Sequence, residues 1–409
     1  MNNNTFAPYL DWLDSQHNEM VNQTIELANI NSGSLNAAGV NQVRQKLSEL
    51  TRPLNGEQTT IAMPDYEQIN DQGDIIHSPL GDALSIIKRP NAPFRVFLCG
   101  HMDTVFGIDH HFQSIRWLDD NTLNGPGVTD LKGGIMVMLK ALECFEQSPF
   151  AEKIGWEILF NPDEEIGSPS SKSLFAGCAE RNHIGFIYEP CFPDGDLAGA
   201  RKGSGNFTVV CRGKAAHAGR EHHLGRNAIR ALSDFISQLD DLNGQRDGVT
   251  INPGFIQGGG PVNIVPDLCI SKFNIRLHNP ADEIWCLEQL NQLVEQINQR
   301  DGISLTLHGE FGRKPKVLST ANTKLFELAQ SCGQALGLNI TWKPTGGCCD
   351  GNNLAAHGLP NIDTLGVQGG NIHSDQEYLK VDSLVARAKL SALLLFKLAT
   401  GDQQIWLEH

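Results

Sequence analysis

Histidine and acidic side chains follow several apolar runs of this sequence, where they could bind metal ions. His101 and Asp103 come directly after the run 94–99, and residues two apart on an extended segment project to the same face. A carboxylate in that position can orient the imidazole and raise its basicity toward a metal. A hydrogen-bonded structural histidine is the alternative interpretation of this pair.

Three further acids lie near the ends of other predicted elements. Asp130 stands on a tight turn before a predicted helix, where capping the helix is the ordinary role of an Asp. Glu164 and Glu165 close the apolar run 154–160, although consecutive acids at a strand end usually form a solvated loop. Each acid therefore has an alternative to metal binding.

Glu189 and His373 complete the set of candidates, since Glu189 follows the run 184–188 and His373 follows the run 361–367. Five segments distant in sequence thus place an acid or a histidine at the carboxyl end of a predicted strand, where open α/β sheets bind ligands. Solvated loops would not select only metal-binding residue types. We therefore predict that these residues form one site.

Two histidines and three carboxylates suit a pair of divalent metals, and zinc fits best because no thiolate is involved. Two metals roughly 3.5–4 Å apart repel each other unless an anion bridges them, and Asp130 is the best candidate for the bridge. One further carboxylate must stay off the metals to carry a proton from the attacking water to the leaving nitrogen. Glu164, which is adjacent to a candidate ligand, suits that task.

The elements that must position these side chains alternate between strand and helix. We predict strands over 94–99, 154–160, 184–188 and 361–367, and helices over 7–30, 38–50, 131–147, 170–180, 320–337 and 382–399. Alternation of this kind is typical of a mixed, largely parallel sheet covered on both faces.

The pattern differs between residues 203 and 309. Strands are expected over 206–211, 249–256, 267–276 and 304–308, and helices over 226–239 and 281–299. This β-α-β-β-α-β order is that of a ferredoxin-like α+β unit. The predicted fold is an α/β domain formed by 1–202 and 310–409, with a smaller α+β domain, 203–309, inserted in it.

The composition excludes several classes of partner. The chain of 409 residues carries 32 Lys and Arg against 47 Asp and Glu, a net charge of −15. Because this balance repels phosphate backbones and anionic bilayers, we expect no nucleic-acid or membrane partner. No secretory signal is recognised at the N-terminus, and the ten cysteines show no disulfide pattern, so a cytoplasmic location with reduced thiols is expected.

Four motifs, taken in order, strongly resemble those of the M20 metallopeptidases, the group that contains glutamate carboxypeptidase, acetylornithine deacetylase and succinyl-diaminopimelate desuccinylase. They are GHMDTV at 100–105, GPGVTDLKGG at 125–134, NPDEEIGS at 161–168 and AHAG at 216–219. The resemblance spans nearly the whole chain. It implies a zinc-peptidase-type catalytic domain and an inserted lid through which relatives dimerise.

The resemblance also implies roles for the candidate residues. One zinc would be held by His101, Asp130 and Glu189, and the other by Asp130, Glu165 and His373. Glu164 would be the general acid and base, with Asp103 the partner of His101. Each subunit would bind two zinc ions, for which Co²⁺ or Mn²⁺ is expected to substitute.

Three residues of the inserted domain match functional positions of relatives, one catalytic and two substrate-binding. His217 matches a histidine that reaches the partner subunit's site and stabilises the oxyanion, although a surface-loop histidine is the alternative. Asn263 and Arg276 match residues that grip a substrate carboxylate, for which the fork of an arginine is well suited. An arginine at a strand end is more often simply solvated.

One segment departs from the family pattern. Relatives commonly carry a Ser before an Asp-Ala/Gly-Asn triplet, whereas residues 346–352 read GGCCDGN. We expect the backbone at Gly347 to approach the substrate still. Cys348 as a nucleophile is an alternative for which the sequence offers no evident base, so a pocket-lining role is favoured for it.

The predicted function is that of a di-zinc hydrolase that cleaves an amide bond next to a free carboxylate, as a carboxypeptidase does. Its substrate would be a small peptide or an N-acyl amino acid, and its assembly a homodimer. An N-acyl amino acid deacylase and an aminopeptidase or dipeptidase are alternatives within the family. A binding protein that has lost catalysis is the alternative outside it, which the intact Glu164 argues against.

Overall fold

The computed structural model describes residues 5–401 and 403–407. The outer ends of the two parts of the predicted catalytic domain, 1–202 and 310–409, therefore lie outside the described residues. The helices are α1 (Ala7–Asp14), α2 (His17–Ala28), α3 (Ala37–Leu50), α4 (Gly133–Glu146), α5 (Lys172–Arg181), α6 (Ala228–Asp240), α7 (Ala281–Asn298), α8 (Thr320–Ala335), α9 (Asp350–Ala356), α10 (Asp382–Thr400) and α11 (Gln404–Leu407). The first strands are β1 (Glu57–Ile61), β2 (Tyr66–Ile69), β3 (Ile75–Ser78), β4 (Ala83–Lys88), β5 (Arg95–His101), β6 (Arg116–Asp119), β7 (Thr122–Asn124), β8 (Gly155–Asn161) and β9 (Ile184–Ile187). The remaining strands are β10 (Leu197–Arg201), β11 (Gly203–Arg212), β12 (Thr250–Gly258), β13 (Leu268–Leu277), β14 (Ser304–Arg313), β15 (Trp342–Thr345), β16 (Asn361–Ile362), β17 (Gly369–Gly370) and β18 (Tyr378–Lys380).

The central sheet has the strand order β1-β4-β8-β5-β9-β16. The pairs from β8 to β16 are parallel, whereas β1 and β4 add antiparallel strands at one edge. Helices cover both faces, because Val96 and Leu98 of β5 pack in the cluster with α4 and α10, while Phe97 and Cys99 pack with α5 and α9. The predicted mixed, largely parallel sheet is confirmed.

The carboxyl ends of β5, β8 and β9 meet at one edge of this sheet because the three strands are parallel. Strand β5 ends at His101, while β8 and β9 end just before Glu164 and Glu189. These strands are buried along their whole length. This edge therefore presents His101, Glu164 and Glu189, whereas Asp130 and His373 follow β7 and β17 of a separate antiparallel sheet instead of the predicted central strands.

Two predicted elements are shorter than expected. The strand predicted over 361–367 is regular only at Asn361–Ile362. Beyond it, the main-chain N–H groups of Leu365 and Gly366 bond to Ile187 and Glu189 as irregular backbone. The helix predicted over 7–30 is broken at 15–16 into α1 and α2.

The inserted segment forms an antiparallel sheet with the strand order β12-β13-β11-β14, and the predicted β-α-β-β-α-β order is observed. Helices α6 and α7 pack on one of its faces around Phe235 and Leu290. The hairpin β2–β3 reaches this unit, since Ile69 packs on Val210 and Ile270. Among the described residues, no helix combines the length and apolar character needed to cross a bilayer.

Candidate active site

The Asp130 carboxylate lies between two imidazoles. Its Oδ1 is 3.1 Å from Nε2 of His101, and its Oδ2 is 3.3 Å from Nε2 of His373. Asp130 and His101 are buried, whereas the His373 side chain is 53% exposed at the mouth of the site. The two carboxylate oxygens thus face two different histidines, as a bridging carboxylate requires.

The two remaining candidate ligands lie on either side of this group. Glu165 Oε2 is 3.2 Å from Nε2 of His373, and Glu189 Oε1 is 3.9 Å from Nε2 of His101. That Glu189 oxygen is buried and has no hydrogen-bond partner. A buried carboxylate oxygen without a partner is costly unless a cation or donor joins it. The donor set therefore fits a pair of divalent metals.

Burial and mutual contacts shift the pKa values of this cluster. Burial alone would raise the pKa of Asp130, but its hydrogen bonds to the two histidines outweigh this and lower it well below its usual range. Hydrogen bonds to Asp130 and Glu165 raise the pKa of His373 to about 11. Burial, together with the charge of Asp130, raises the pKa of Glu165 to about 8. Bound cations would balance the charge of these crowded carboxylates.

Asp103 fixes both the first histidine and the loop of the two glutamates. His101 Nδ1 is 3.0 Å from the main-chain oxygen of Asp103 and 3.4 Å from its Oδ1. The Asp103 carboxylate also accepts the main-chain N–H groups of Glu164 and Glu165, each at 3.1 Å, and the hydroxyl of Ser34 at 2.7 Å. Asp103 thus lies beside His101 and also holds the glutamate loop, a contact that the sequence does not indicate.

The turn that carries Asp130 is held from two directions. The Glu377 carboxylate accepts the main-chain N–H groups of Gly127, Thr129 and Asp130 at 2.9–3.1 Å. A Cβ on Gly134 would lie 2.1 Å from the main-chain oxygen of Tyr188, so only glycine lets α4 approach the segment that carries Glu189. Sequence reasoning missed Glu377, because a single acid before a short strand carries no distinguishing pattern.

Glu164 lies beside the group formed by Asp130, His101 and His373. Among the described contacts, none is a hydrogen bond between Glu164 and either histidine. One of its carboxylate oxygens is within 4.8 Å of ligand atoms of His101 and Glu189. Its Oε1 accepts Nη1 of Arg313 at 2.7 Å, and both side chains are buried. Burial raises the pKa of Glu164, while the charge of Arg313 opposes that rise. Arg313 is a second residue that sequence reasoning missed.

A cleft of about 1190 Å³ opens between the central sheet and the inserted unit. Its wall includes Glu164, Glu165 and His373 on one side and Arg276 on the other, with Gly347 between them. The cleft thus joins the candidate metal cluster to Arg276 and Gly347, two of the residues predicted to bind substrate.

Arg276 and Cys348 contact each other inside this cleft. Arg276 donates through Nε to Asn274 Oδ1 at 2.8 Å, and its Nη1 is 3.1 Å from the Cys348 sulfur. The Cys348 thiol donates to the main-chain oxygen of Lys202 at 3.0 Å. Burial raises the pKa of Cys348 although Arg276 opposes the shift. A protonated thiol of this kind lines the pocket and is not an activated nucleophile.

His217 and Asn263 do not line the cleft. Both are exposed on a loop pair of the inserted unit, where the N–H of Ala218 donates to the Asn263 main-chain oxygen at 2.8 Å. His217 Nδ1 accepts the main-chain N–H groups of Gly219 and Arg220 at 3.1 and 3.2 Å. An imidazole held in this way carries its proton on Nε2, which leaves a donor facing outward.

The arrangement of fold and site is that of a metallohydrolase, with an α/β sheet that gathers carboxylates and histidines beneath a cleft. The profile of peptidase family M20/M25/M40 matches residues 97–397. The chain therefore belongs to this family and is an enzyme of the metallohydrolase class.

Individual relatives support the same assignment. Carboxypeptidase G2 of Pseudomonas sp. (strain RS-16) is 27% identical over 312 residues, which are 75% of this chain and 74% of the relative. Succinyl-diaminopimelate desuccinylase of Verminephrobacter eiseniae (strain EF01-2) is 26% identical over 308 residues, 71% of this chain and 75% of the relative. The fold matches an M20 family metallo-carboxypeptidase of Sulfolobus solfataricus with a TM-score of 0.73 at 16% identity, covering 92% of this chain and 98% of that one.

Proposed function

We propose that the protein is a di-zinc hydrolase that cleaves an amide or peptide bond next to a free carboxylate, as a carboxypeptidase does. The observation that carries this proposal is the Asp130 carboxylate between His101 and His373. Glu189 and Glu165 supply one further ligand on each side, so each zinc would have three protein ligands and an open position.

The side chains around the cluster perform the remaining chemistry. When bound, zinc would polarise the scissile carbonyl and lower the pKa of water. Glu164 takes a proton from the attacking water and delivers it to the leaving nitrogen, for which its raised pKa is suited. Asp103 holds the main chain of Glu164 and Glu165 so that the proton carrier keeps its place beside the ligands.

The substrate carboxylate is proposed to bind Arg276 across the cleft. The guanidinium uses Nε and Nη1 for Asn274 and Cys348, and its Nη2 remains for an anion. The main chain at Gly347 borders the same space, and a Cβ there would meet nothing closer than 3.8 Å. A small peptide or an N-acyl amino acid presents the carboxylate that this wall requires.

Other activities remain as alternatives to this proposal. An N-acyl amino acid deacylase would use the same residues, whereas an aminopeptidase or dipeptidase would recognise a free amino terminus. An inactive ligand-binding homologue would have no need of the buried Glu164, which the chain retains. The cytoplasmic location stays a prediction.

Arg276→Met tests the substrate assignment. We expect the variant to raise KM for substrates with a free C-terminus by about 10–100-fold, because a hydrogen bond to a charged group contributes roughly 1.5–3 kcal/mol. Hydrolysis should be followed on a panel of N-acyl amino acids and dipeptides with free and amidated C-termini. Lys272→Met, which removes an exposed cation from the same strand and cleft, is the control and should leave KM nearly unchanged.

The panel also separates the alternatives. Wild-type preference for a free amino terminus with an amidated C-terminus would favour an aminopeptidase and remove the role given to Arg276. Equal loss of activity in the Lys272 control would point to a general effect of charge in the cleft.

We also propose that residues 203–309 act as a lid that dimerises. Strand β12 is an edge of its sheet and exposes Phe255 and Ile256, while Val262 is wholly exposed on the adjacent loop. An exposed apolar edge strand is normally covered or paired. Pairing with a second lid would allow His217 to reach the partner's cleft, where its outward Nε2–H would donate to the oxyanion.

Mixing two inactive variants tests this donation between subunits. A mixed dimer of His217→Ala and Glu164→Gln chains contains one site with an intact Glu164 and an intact His217 from its partner. We expect each variant alone to be nearly inactive and the mixture to recover part of the activity after subunit exchange. His223→Ala, an exposed histidine of the same loop region, should remain active by itself. Exchange without recovery would contradict donation between subunits.

A further inference from the structure

The last lid strand, β14, continues four residues past the predicted boundary at 309, so Arg313 lies on the lid sheet by its main chain and in the candidate active site by its side chain. It is the last residue of β14 and pairs with Ser204 at the start of β11. Its guanidinium is nevertheless buried beside Glu164, and only 8% of the side chain is exposed. The residue therefore connects the lid sheet directly to the proposed proton carrier.

The guanidinium holds Glu164 at both its side chain and its main chain. Nη1 donates to Glu164 Oε1 at 2.7 Å, and Nη2 donates to the Glu164 main-chain oxygen at 3.1 Å. Nη2 also donates to the Ser168 hydroxyl at 3.0 Å, and Asp350 Oδ1 lies 3.5 Å away. One rigid fork thus spans the loop that carries both the proton carrier and a candidate metal ligand.

The main chain beside Arg313 leaves little room for independent movement. The inserted unit begins at Gly203, where a Cβ would lie 3.0 Å from the Arg313 main-chain oxygen and 2.7 Å from Cδ of Pro315. The two chain crossings between the units are therefore packed against each other. A rotation of the lid about these crossings would displace the Arg313 side chain together with its strand.

Two other ion pairs between the lid sheet and the catalytic domain are exposed and do not contact Glu164. Arg212 bonds to Asp74 at 3.0 Å with about half its side chain exposed, and Lys172 pairs with the exposed Glu310. These pairs are solvated and contribute little. Of these three ion pairs, the one between Arg313 and Glu164 is buried.

We infer that Arg313 is a positioning residue that fixes the Glu164 carboxylate and makes its place depend on the orientation of the lid. The inference rests on the proposed function of Glu164. One carboxylate oxygen is occupied by the guanidinium, so proton transfer falls to the other. If the lid opened, the Arg313 guanidinium would move away with it. The Glu164 carboxylate would then no longer be held in position.

Variants of Arg313 separate positioning from general stabilisation. In zinc-loaded Arg313→Met we expect kcat to fall about 100-fold, the low end of an acid–base contribution. KM should stay within about threefold, and zinc content should be unchanged, because the fork contacts no candidate metal ligand side chain. Arg313→Lys should recover about tenfold in kcat, since it keeps the charge without the fork. Arg212→Met is the matched control and should keep wild-type kcat.

Two further measurements test the same inference, and the second needs neither a stable Arg313→Met variant nor a known substrate. In the Glu164→Gln background, adding Arg313→Met should cause no further loss, because residues that act as one unit are not additive. A crystal structure of zinc-loaded Arg313→Lys should show the Glu164 carboxylate displaced relative to wild type.

Each outcome bears on one of the two claims. Undisturbed Glu164 in the variant structures, or an unchanged kcat in an active Arg313→Met enzyme, would overturn the positioning role and leave the proposed function standing. A wild-type enzyme that binds zinc but hydrolyses no member of the panel would contradict the proposed function. The position of Glu164 in the variant crystals would still decide whether Arg313 holds it.

Discussion

Glu164→Gln is expected to abolish most of the turnover while leaving the zinc sites intact. General acid–base groups contribute roughly 10²–10⁴-fold to the rate, and a Gln amide cannot accept the proton of the attacking water. The side chain is buried, is not one of the five ligands that the resemblance implies, and has an oxygen within 4.8 Å of ligand atoms of His101 and Glu189. The variant should therefore separate proton transfer from metal binding.

The measurement compares kcat, zinc content and unfolding temperature for the variant and the wild type. Glu310→Gln is the control, because Glu310 lines the same cleft but is 65% exposed and pairs with Lys172. It should retain nearly full turnover. Gln can still accept a hydrogen bond from Arg313 at position 164, so the fold should survive the change. Unchanged turnover in Glu164→Gln would remove the acid–base role from this residue.

Much of the fold could be predicted because its strands are buried on both faces. The parallel strands β5, β8 and β9 are mostly apolar, and they lie within a residue or two of their predicted bounds. The strand predicted over 361–367 is regular only at Asn361–Ile362. Its apolar residues are buried, but the backbone after Ile362 bonds irregularly to the segment beyond β9. Burial and strand geometry produce the same sequence pattern, so the pattern could not separate them.

His101, Glu165 and Glu189 could be predicted to meet because they follow strand ends of the parallel sheet, whereas Asp130 and His373 follow strands β7 and β17 of a separate antiparallel sheet. The residues that hold the ligand loops carry no such signal. Glu377 bonds to Asp130 across 247 positions of the chain, and Arg313 bonds to Glu164 across 149. Their roles depend on contacts between a lid strand, a loop and a turn. No local spacing encodes such contacts.

The three candidate residues of the lid lie in two different places, which the sequence could not indicate. Arg276 lines the cleft of its own chain, whereas His217 and Asn263 lie outside it on an exposed loop pair. In the single chain these two residues do not line the cleft, and in the proposed dimer His217 would reach the cleft of the partner. The resemblance to M20 enzymes proposes that assembly, and the mixed-dimer experiment is the test of it.

Asp130→Asn is expected to remove both zinc sites at once, since Asp130 offers one oxygen to each histidine-containing half of the cluster. An Asn side chain has a single oxygen, and its amide group presents hydrogen atoms where the second metal would bind. Two metals also need the anionic bridge to offset their repulsion. Elemental analysis of chelator-free protein should give about two zinc ions per wild-type chain and nearly none per variant chain.

His373→Ala and Asp375→Asn show whether this loss is specific. His373 contacts only one half of the cluster, through Asp130 and Glu165, so its removal should lower the occupancy of one site more than that of the other. Asp375 is about half exposed, pairs with His111 on the rim, and should not affect zinc content.

Retention of two zinc ions by Asp130→Asn would refute the bridge. A wild-type protein that binds no zinc and is indifferent to chelators in assays would refute the whole ligand set. If Asp130→Asn and His373→Ala instead lost the same amount of zinc, the two halves of the cluster would bind metal as one cooperative unit. Removing His373 or removing the bridging Asp130 would then empty both positions.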